Sequence, residues 1–300
     1  KILQLKQIQD IRHGIMLVGP SATGKSATWK VLLRALNRLE RSTTGGQQQK
    51  SDYYIIDAKS IKKEKLYGSL DPTTLEWTDG IFTKILRKII EATSEGNSGA
   101  TSRYQRRSWI VFDGDVDPEW AENLNSVLDD NKILTLPSGD RLKIPPNVRI
   151  IMEVDNLKYT TLATVSRCGM IWFADNVITL EMIFQRQLAL LKSESYLSER
   201  LGVVVAFDEQ QQNLQEKFVD AITPSFLQRP SIVEIALQYS KQQPHVMEIS
   251  TVSWIDTLFA MLIRGISLCF EQNDATPDFP LPDAQIESFA NRWLLFALNW

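Results

Sequence analysis

The eight residues at positions 19–26, GPSATGKS, constrain the fold of this chain more than any other feature. They match the phosphate-loop pattern G-x-x-x-x-G-K-[S/T], follow the apolar run 15–18 and open an amphipathic stretch that reaches about position 41. In such a strand–loop–helix unit the glycines let backbone N–H groups approach phosphates, and the helix N-terminus adds a favourable dipole. The pattern therefore predicts a site for a nucleoside triphosphate; the alternative is a glycine-rich turn with an exposed lysine.

The predicted contacts to the nucleotide come from the loop itself. They are Gly19, Pro20, Ser21, Ala22, Thr23, Gly24, Lys25 and Ser26. Lys25 is expected to reach the β and γ phosphates, and Ser26 is expected to ligate Mg²⁺. Asp113 ends the apolar run 109–113 in the way a Walker B strand does, and it would lie beside the same cation, directly or through water. The expected cofactors are therefore ATP, or a closely related triphosphate, and Mg²⁺.

The residue after Asp113 predicts how the site treats its nucleotide. ATPases of this type usually carry Glu there to activate the attacking water, whereas this chain carries Gly114. A positioned general base contributes typically ~10²–10⁴ in rate, so its loss should cost roughly 3–5 kcal/mol of transition-state stabilisation. Asp117 is better explained as the N-cap of a helix that starts at Pro118, and Asp115 lies one residue too far along. We therefore expect tight binding with little or no turnover.

Alternating apolar runs and amphipathic stretches over the first 175 residues predict a sheet covered by helices. Buried strands are predicted at 15–18, 53–57, 109–113, 148–154 and 170–173. Helices are predicted at 24–41, at about 79–92 and from 117, with a hairpin between 133 and 144 and mobile surface loops at 42–52 and 94–107. From about position 179 helical periodicity takes over. The predicted domains are 1–176, an α/β nucleotide-binding domain, and 177–300, a smaller helical domain.

Composition excludes several classes of protein and site. The net charge is −3 with well-mixed charges, so the basic footprint typical of nucleic-acid binding is missing. The best apolar run, 254–270, is shorter than the ~20 residues of a membrane span and contains Asp256 and Arg264, so no span is predicted. Two cysteines and two histidines predict no disulfide framework or metal cluster and favour a reducing, cytosolic setting. Because the chain starts without Met and ends within an apolar pattern, we expect a piece of a longer polypeptide.

Several longer motifs resemble those of one known family. They are RHGIMLVGP at 12–20, LYGSLDP at 66–72, EWTDG at 76–80, VFDGDVDPEW at 111–120 and LNSVLDDNK at 124–132. In this order they resemble the second AAA+ module of cytoplasmic dynein heavy chains. The resemblance is close from position 10 to about 175 and only general over the helical tail.

This resemblance implies a fold, a function and a set of partners. The implied fold is α/β, an AAA+ P-loop NTPase with a five-stranded parallel sheet of order 5-1-4-3-2 and a small all-helical lid. The implied function is that of one of six modules in the ring of a microtubule minus-end-directed motor, whose second module is thought to hold ATP without hydrolysing it. Implied partners are the neighbouring modules of the same heavy chain, the microtubule through the parent motor, a second heavy chain and accessory chains. The implied location is the cytoplasm, on the cytoskeleton.

Three further site residues are carried over from the resemblance. Arg167 matches the arginine finger that projects into the ATP site of the preceding module; the alternative is a cation at a helix C-terminus, with Gly169 as a left-handed cap. Asp155 matches the sensor position after the fourth strand, where hydrolysing relatives usually carry Asn; either the register shifts to Asn156 or the site is again unsuited to catalysis. His13 precedes the first strand, where it would contact the adenine base or serve as a structural histidine.

Three hypotheses about function remain open at this point. The first is a nucleotide-holding, regulatory module that supplies Arg167 to its neighbour. The second is an active AAA+ ATPase that uses Asp115 or an unusual water relay as its base. The third, an unrelated P-loop kinase, requires an acceptor-substrate pocket, and the sequence offers no recognisable one. Replacing Gly114 by Glu distinguishes the first two hypotheses.

Overall fold

The computed structural model describes residues 1–43, 51–95, 107–174, 177–201, 208–246, 250–275 and 280–299. It divides into two compact units, Lys1–Val177 and Ile178–Trp300. The first unit contains the sheet and the phosphate loop, and the regular elements among the described residues of the second are all helices. Each unit is described by itself below.

Unit 1 alternates strands and helices along the chain. Its elements are α1 (Ile2–Ile11), β1 (Gly14–Val18), α2 (Lys25–Thr43), β2 (Asp52–Ile56), α3 (Lys63–Tyr67), β3 (Gly68–Leu70), β4 (Trp77–Asp79), α4 (Ile81–Glu95), β5 (Ser108–Asp113), α5 (Pro118–Ala121), α6 (Asn125–Leu128), β6 (Ile133–Thr135), β7 (Arg141–Lys143), β8 (Val148–Val154), α7 (Leu162–Arg167) and β9 (Gly169–Trp172). Five parallel strands form the central sheet in the order β2-β5-β8-β1-β9. When the five strands are numbered 1 to 5 in chain order, their order across the sheet, starting from β9, is 5-1-4-3-2. The predicted fold is therefore confirmed.

Both faces of the sheet are covered, which explains why its central strands are almost uniformly apolar. On one face Leu17, Val111 and Ile151 pack against α2, whose Trp29 is only 1% exposed. On the other face alternate strand residues pack against α4, where Phe82 is fully buried. Because side chains alternate along a strand, these two clusters fix which residues at the strand ends point toward α2.

Several predicted elements differ from the structure in their limits. The second and fifth sheet strands are each shifted by one residue from the predicted 53–57 and 170–173. The helix predicted from position 117 lasts only four residues as α5, and one turn of 3₁₀ helix (Glu122–Leu124) and the short α6 follow it. The predicted hairpin is present as β6 and β7. Helices α2 and α4 extend into both predicted loops, and most of the remainder of those loops lies outside the described residues.

Unit 2 is a bundle of helices around one apolar core. They are α8 (Leu180–Leu191), α9 (Glu194–Leu201), α10 (Glu209–Leu227), α11 (Ile232–Gln242), α12 (Thr251–Ala275) and α13 (Asp283–Asn299). By length and composition α12 is long and apolar enough to cross a membrane, although 44% of its most apolar window is buried inside the protein. Its buried residues, such as Leu262 and Ile266, form the centre of the unit 2 core, and Asp256 accepts a hydrogen bond of 3.0 Å from Gln187 of α8. Core packing therefore accounts for its apolar character.

His13 joins the start of β1 to α6. Its Nε2 atom lies 2.6 Å from the backbone carbonyl oxygen of Val127, and the side chain is buried. Burial lowers the pKa of His13, and the Val127 carbonyl opposes this only in part. This contact is the one expected if His13 is a structural histidine.

The lowered pKa of His13 predicts a pH dependence of stability. Because the unfolded chain holds the proton more tightly, the free energy of unfolding should be highest above the unfolded pKa of about 6.5 and decrease below it, by at most about 1.4 kcal/mol per pH unit. His13→Gln keeps an N–H for Val127 but cannot titrate, so this component should disappear. Urea unfolding of both proteins from pH 8 to pH 5 measures the difference. Identical pH profiles for wild type and His13→Gln would contradict the assignment of this pH dependence to His13.

Candidate nucleotide-binding site

The phosphate loop leaves β1 in a conformation that only glycine permits at its first position. Gly19 has φ of 153°, and a Cβ atom there would lie 2.1 Å from the backbone oxygen of Phe173, just after β9. Gly19 also donates its N–H to Val154 at the end of β8. The loop is thus held against the ends of two neighbouring strands, and α2 begins directly after it at Lys25. The first turn of α2 therefore has the backbone N–H groups without helical partners that commonly bind anions at a helix N-terminus.

Lys25 is nearly buried beneath the loop. Its Nζ donates to the carbonyl oxygens of Gly19 and, at 2.9 Å, of Pro20, and it forms an ion pair of 3.1 Å with Asp155. Ser21 also points toward Asp155, with oxygen–oxygen distances of 3.4 and 3.5 Å. The structure thus places Asp155 beside Lys25, the lysine that the sequence predicts to bind phosphate. Asn156, the alternative sensor residue, instead accepts the backbone N–H of Lys158 at 3.0 Å.

Ser26 contacts a carboxylate that the sequence interpretation did not single out. Its hydroxyl donates to Glu153 of β8 at 2.5 Å, and the indole N–H of Trp29 donates to the other oxygen of the same carboxylate. In the sheet register Glu153 is the direct neighbour of Asp113 on β5. Side chains of register partners lie on the same face of a sheet, here the face that α2 covers. The one sequence clue to Glu153 was a single acid inside the apolar run 148–154.

Gly114, which follows Asp113, has a backbone that other residues rarely adopt. Its φ is 118°, and a Cβ atom would find open space, with Oδ1 of Asp57 nearest at 3.8 Å. Asp115 forms an ion pair of 2.9 Å with Lys59. Asp117 accepts the backbone N–H of Glu119 at 2.9 Å, so its predicted role as N-cap is confirmed.

Comparison with known proteins assigns the family. The model of the AAA domain (dynein-related subfamily) matches residues 14–168, more than half of the chain. The chain belongs to this family. Cytoplasmic dynein heavy chains of Paramecium tetraurelia and Drosophila melanogaster are 47% and 44% identical to it, each match covering all of this chain. Dynein heavy chain-like protein 1 of Plasmodium falciparum is 57% identical over 64% of this chain.

This AAA module is a small part of the proteins it resembles. It spans 6% of the Paramecium and Drosophila heavy chains and 4% of the Plasmodium protein. Membership of the dynein-related AAA family implies ATP binding, and the phosphate loop is the candidate site for it.

The residues around Ser26 fit a magnesium ion. The hydroxyl of Ser26 lies at the start of α2 and contacts Glu153. The carboxylates of Asp113 and Glu153 lie at the carboxyl ends of β5 and β8, on the face of the sheet that α2 covers. Oxygen ligands of this kind, together with phosphate oxygens, are those that Mg²⁺ prefers. Ser26 and Asp113 are the candidate ligands, and a bound cation there would supply positive charge beside the phosphates.

Arg167 lies at the end of α7 and is paired within the chain. Its Nε donates to Asp129, its Nη1 donates to the Ala163 carbonyl oxygen at 2.7 Å, and 31% of its side chain is exposed. The alternative role of Gly169 as a left-handed helix cap is wrong, because the capping residue Cys168 is extended and Gly169 has no positive φ. A Cβ atom at Gly169 would lie 2.3 Å from the Ile8 side chain, so close packing against α1 accounts for this glycine.

The ion pair between Lys25 and Asp155 predicts a nucleotide preference. Asp155→Asn frees Lys25 for the terminal phosphate and removes a negative charge near it, so ATP affinity should increase relative to ADP affinity by on the order of tenfold. Asp10→Asn removes an exposed carboxylate that is also paired with a lysine, Lys6, and serves as the control. Titration calorimetry with both nucleotides measures the ratio. An unchanged ratio in Asp155→Asn would show that Asp155 does not sense the terminal phosphate.

Proposed function

We propose that this chain is the second AAA+ module of a dynein heavy chain and that it holds MgATP with little or no hydrolysis. The family match and the heavy-chain relatives support a dynein AAA module, and the order of the motifs between positions 12 and 132 favours the second one. The second part rests on one observation, the missing carboxylate after Asp113. In the proposed arrangement Lys25 and the loop amides bind the phosphates, while Ser26 and Asp113 hold the cation.

The geometry at Gly114 supports a site that binds without turnover. Glycine supplies no base, and its φ of 118° disfavours any side chain at this position. Asp117 is used as a helix cap, and Asp115 points to Lys59. Without a positioned base, hydrolysis should be slower by ~10²–10⁴. ATP at about 1,000 times its dissociation constant would still stabilise the bound conformation by ~4 kcal/mol, which suits a structural and regulatory role.

One observation favours the alternative, an active ATPase. The ion pair between Lys59 and Asp115 is at the surface, with 65% and 35% of the two side chains exposed. Such pairs contribute little to stability, so Asp115 is not firmly held away from the nucleotide. Turnover measurements therefore decide between the two functions.

Arg167 is proposed to act on the neighbouring module rather than on its own nucleotide. The residue ends α7, with one residue between it and β9 at the edge of the sheet, and it is partly exposed. Within this chain the guanidinium of Arg167 pairs with Asp129. The γ phosphate of ATP in the preceding module would compete with Asp129 for this guanidinium. An arginine supplied in this way is worth ~10³–10⁵ in rate at the recipient site.

The remaining elements of the proposal concern the parent protein. The relatives are named cytoplasmic dynein heavy chains, and by analogy the parent would be a cytoplasmic, microtubule-associated motor. Its partners would be the neighbouring AAA+ modules, the microtubule, a second heavy chain and accessory chains.

Restoring the missing carboxylate tests the non-hydrolysing site. Gly114→Glu should raise ATP turnover at this site by at least tenfold, whereas Gly114→Gln, of the same shape, should not. Both variants should lose about 1–3 kcal/mol of stability because of the positive φ. Phosphate release under single-turnover conditions and thermal unfolding measure the two effects. Equal turnover in wild type and Gly114→Glu would contradict the account of Gly114, and a wild-type rate that is already high would favour the active-ATPase alternative.

A heavy chain that includes the preceding module tests Arg167. Arg167→Lys should lower the ATP turnover of that module by about 10³-fold, since Lys cannot make the same planar contacts. Asp129→Asn removes the negative charge that pairs with Arg167 within this chain and should leave turnover equal or higher. The steady-state ATPase rates of the three proteins provide the comparison. Unchanged turnover in Arg167→Lys would show that Arg167 does not act on the preceding module and serves only its contacts within this chain.

A further inference from the structure

Glu153 is a buried carboxylate for which the proposed function has so far given no role. It is 5% exposed and lies in β8, with Leu17 of β1 and Asp113 of β5 as register partners. Its two oxygens accept one hydrogen bond each, from the Trp29 indole and the Ser26 hydroxyl. Both donors are neutral. An ionised carboxylate buried among neutral donors is costly, and a nearby cation offsets that cost.

Helix α2 fixes the position of this carboxylate. Ser26 and Trp29 are three residues apart and therefore lie on the same face of the helix. Trp29 is 1% exposed and packs between Tyr53 and Trp109, with ring centroids 5.2 and 6.4 Å away. Its indole N–H thus holds one oxygen of Glu153 in place, and the other oxygen faces the Ser26 hydroxyl.

The hydrogen bond from Ser26 sets the direction of the serine lone pairs. A hydroxyl has one proton and two lone pairs. Because Glu153 accepts the proton, the lone pairs of Ser26 remain available to a cation, and Asp113 is on the same sheet face in the next strand. Mutation of a residue that hydrogen-bonds to a metal ligand typically changes metal affinity by about 10–100-fold.

We propose that Glu153 is a positioning residue of the magnesium subsite and that it makes the ATP affinity of this module depend on a divalent cation. This inference rests on the proposed nucleotide function. Glu153 orients Ser26 for the metal, and its negative charge disfavours a triphosphate that arrives without one. Gln in its place would present an N–H to Ser26, which would then use a lone pair to accept it and be a poorer metal ligand.

The experiment measures metal and nucleotide binding separately in the 300-residue chain. ATP affinity is determined with Mg²⁺ and with EDTA, and Mn²⁺ affinity of the ATP-loaded chain is determined by electron paramagnetic resonance. Glu153→Gln should weaken Mn²⁺ binding by about 10–100-fold and should bind metal-free ATP no more weakly than wild type. Glu91→Gln removes an exposed carboxylate of α4 and is the matched control. Trp29→Phe, which removes the indole N–H together with part of the ring volume, should shift metal affinity in the same direction.

Each outcome bears on a different claim. Weaker metal binding with retained metal-free ATP binding in Glu153→Gln supports the positioning role, since a loss of folding would reduce both. Equal loss of both affinities, or no change in either, overturns the role. Failure of the wild-type chain to bind MgATP would instead contradict the proposed function itself.

Discussion

The pairing of β8 with β1 on one side and β5 on the other is the constraint on which the site depends. Parallel strands end at the same edge of a sheet, so this pairing brings the phosphate loop after β1 next to the acids that end the other two strands. The apolar clusters on both faces hold the three strands in register. A shift of one residue in β8 would turn Glu153 away from Ser26 and disrupt the contact between sheet and loop.

The charges at this edge suit a site that retains its ligand. Lys25 is buried at the loop, while Asp113, Glu153 and Asp155 are the acids at the strand ends. A triphosphate added to three carboxylates is strongly disfavoured unless a cation enters with it, so nucleotide and metal should bind together. In the proposed function Gly114 leaves the position of the base without a side chain, so the acids that would favour MgATP are not accompanied by a carboxylate placed to activate a water. Under the proposed function, retention of MgATP and slow hydrolysis would both follow from the residues at this edge of the sheet.

The sequence was sufficient for most of the fold because its signals were local. Five short apolar runs matched the five sheet strands to within one residue, and the phosphate loop was identified from eight residues. Glu153 was missed because its two donors come from α2, more than 120 residues away, and one acid in an apolar run has no periodicity. Gly169 was misassigned because glycine after a helix resembles a cap, whereas its reason is the approach of Ile8. The strand order followed from the family resemblance, since long-range pairing is not encoded in local pattern.

The claim that this module holds ATP without hydrolysing it is tested most directly by identifying the nucleotide that it retains. The chain would be incubated for hours with MgATP, freed from unbound nucleotide by gel filtration, denatured, and its released nucleotide separated by ion-exchange chromatography. We expect one ATP per chain, with its amount unchanged as the incubation is lengthened. ADP that accumulates with incubation time, when none was supplied, would contradict the account built on Gly114.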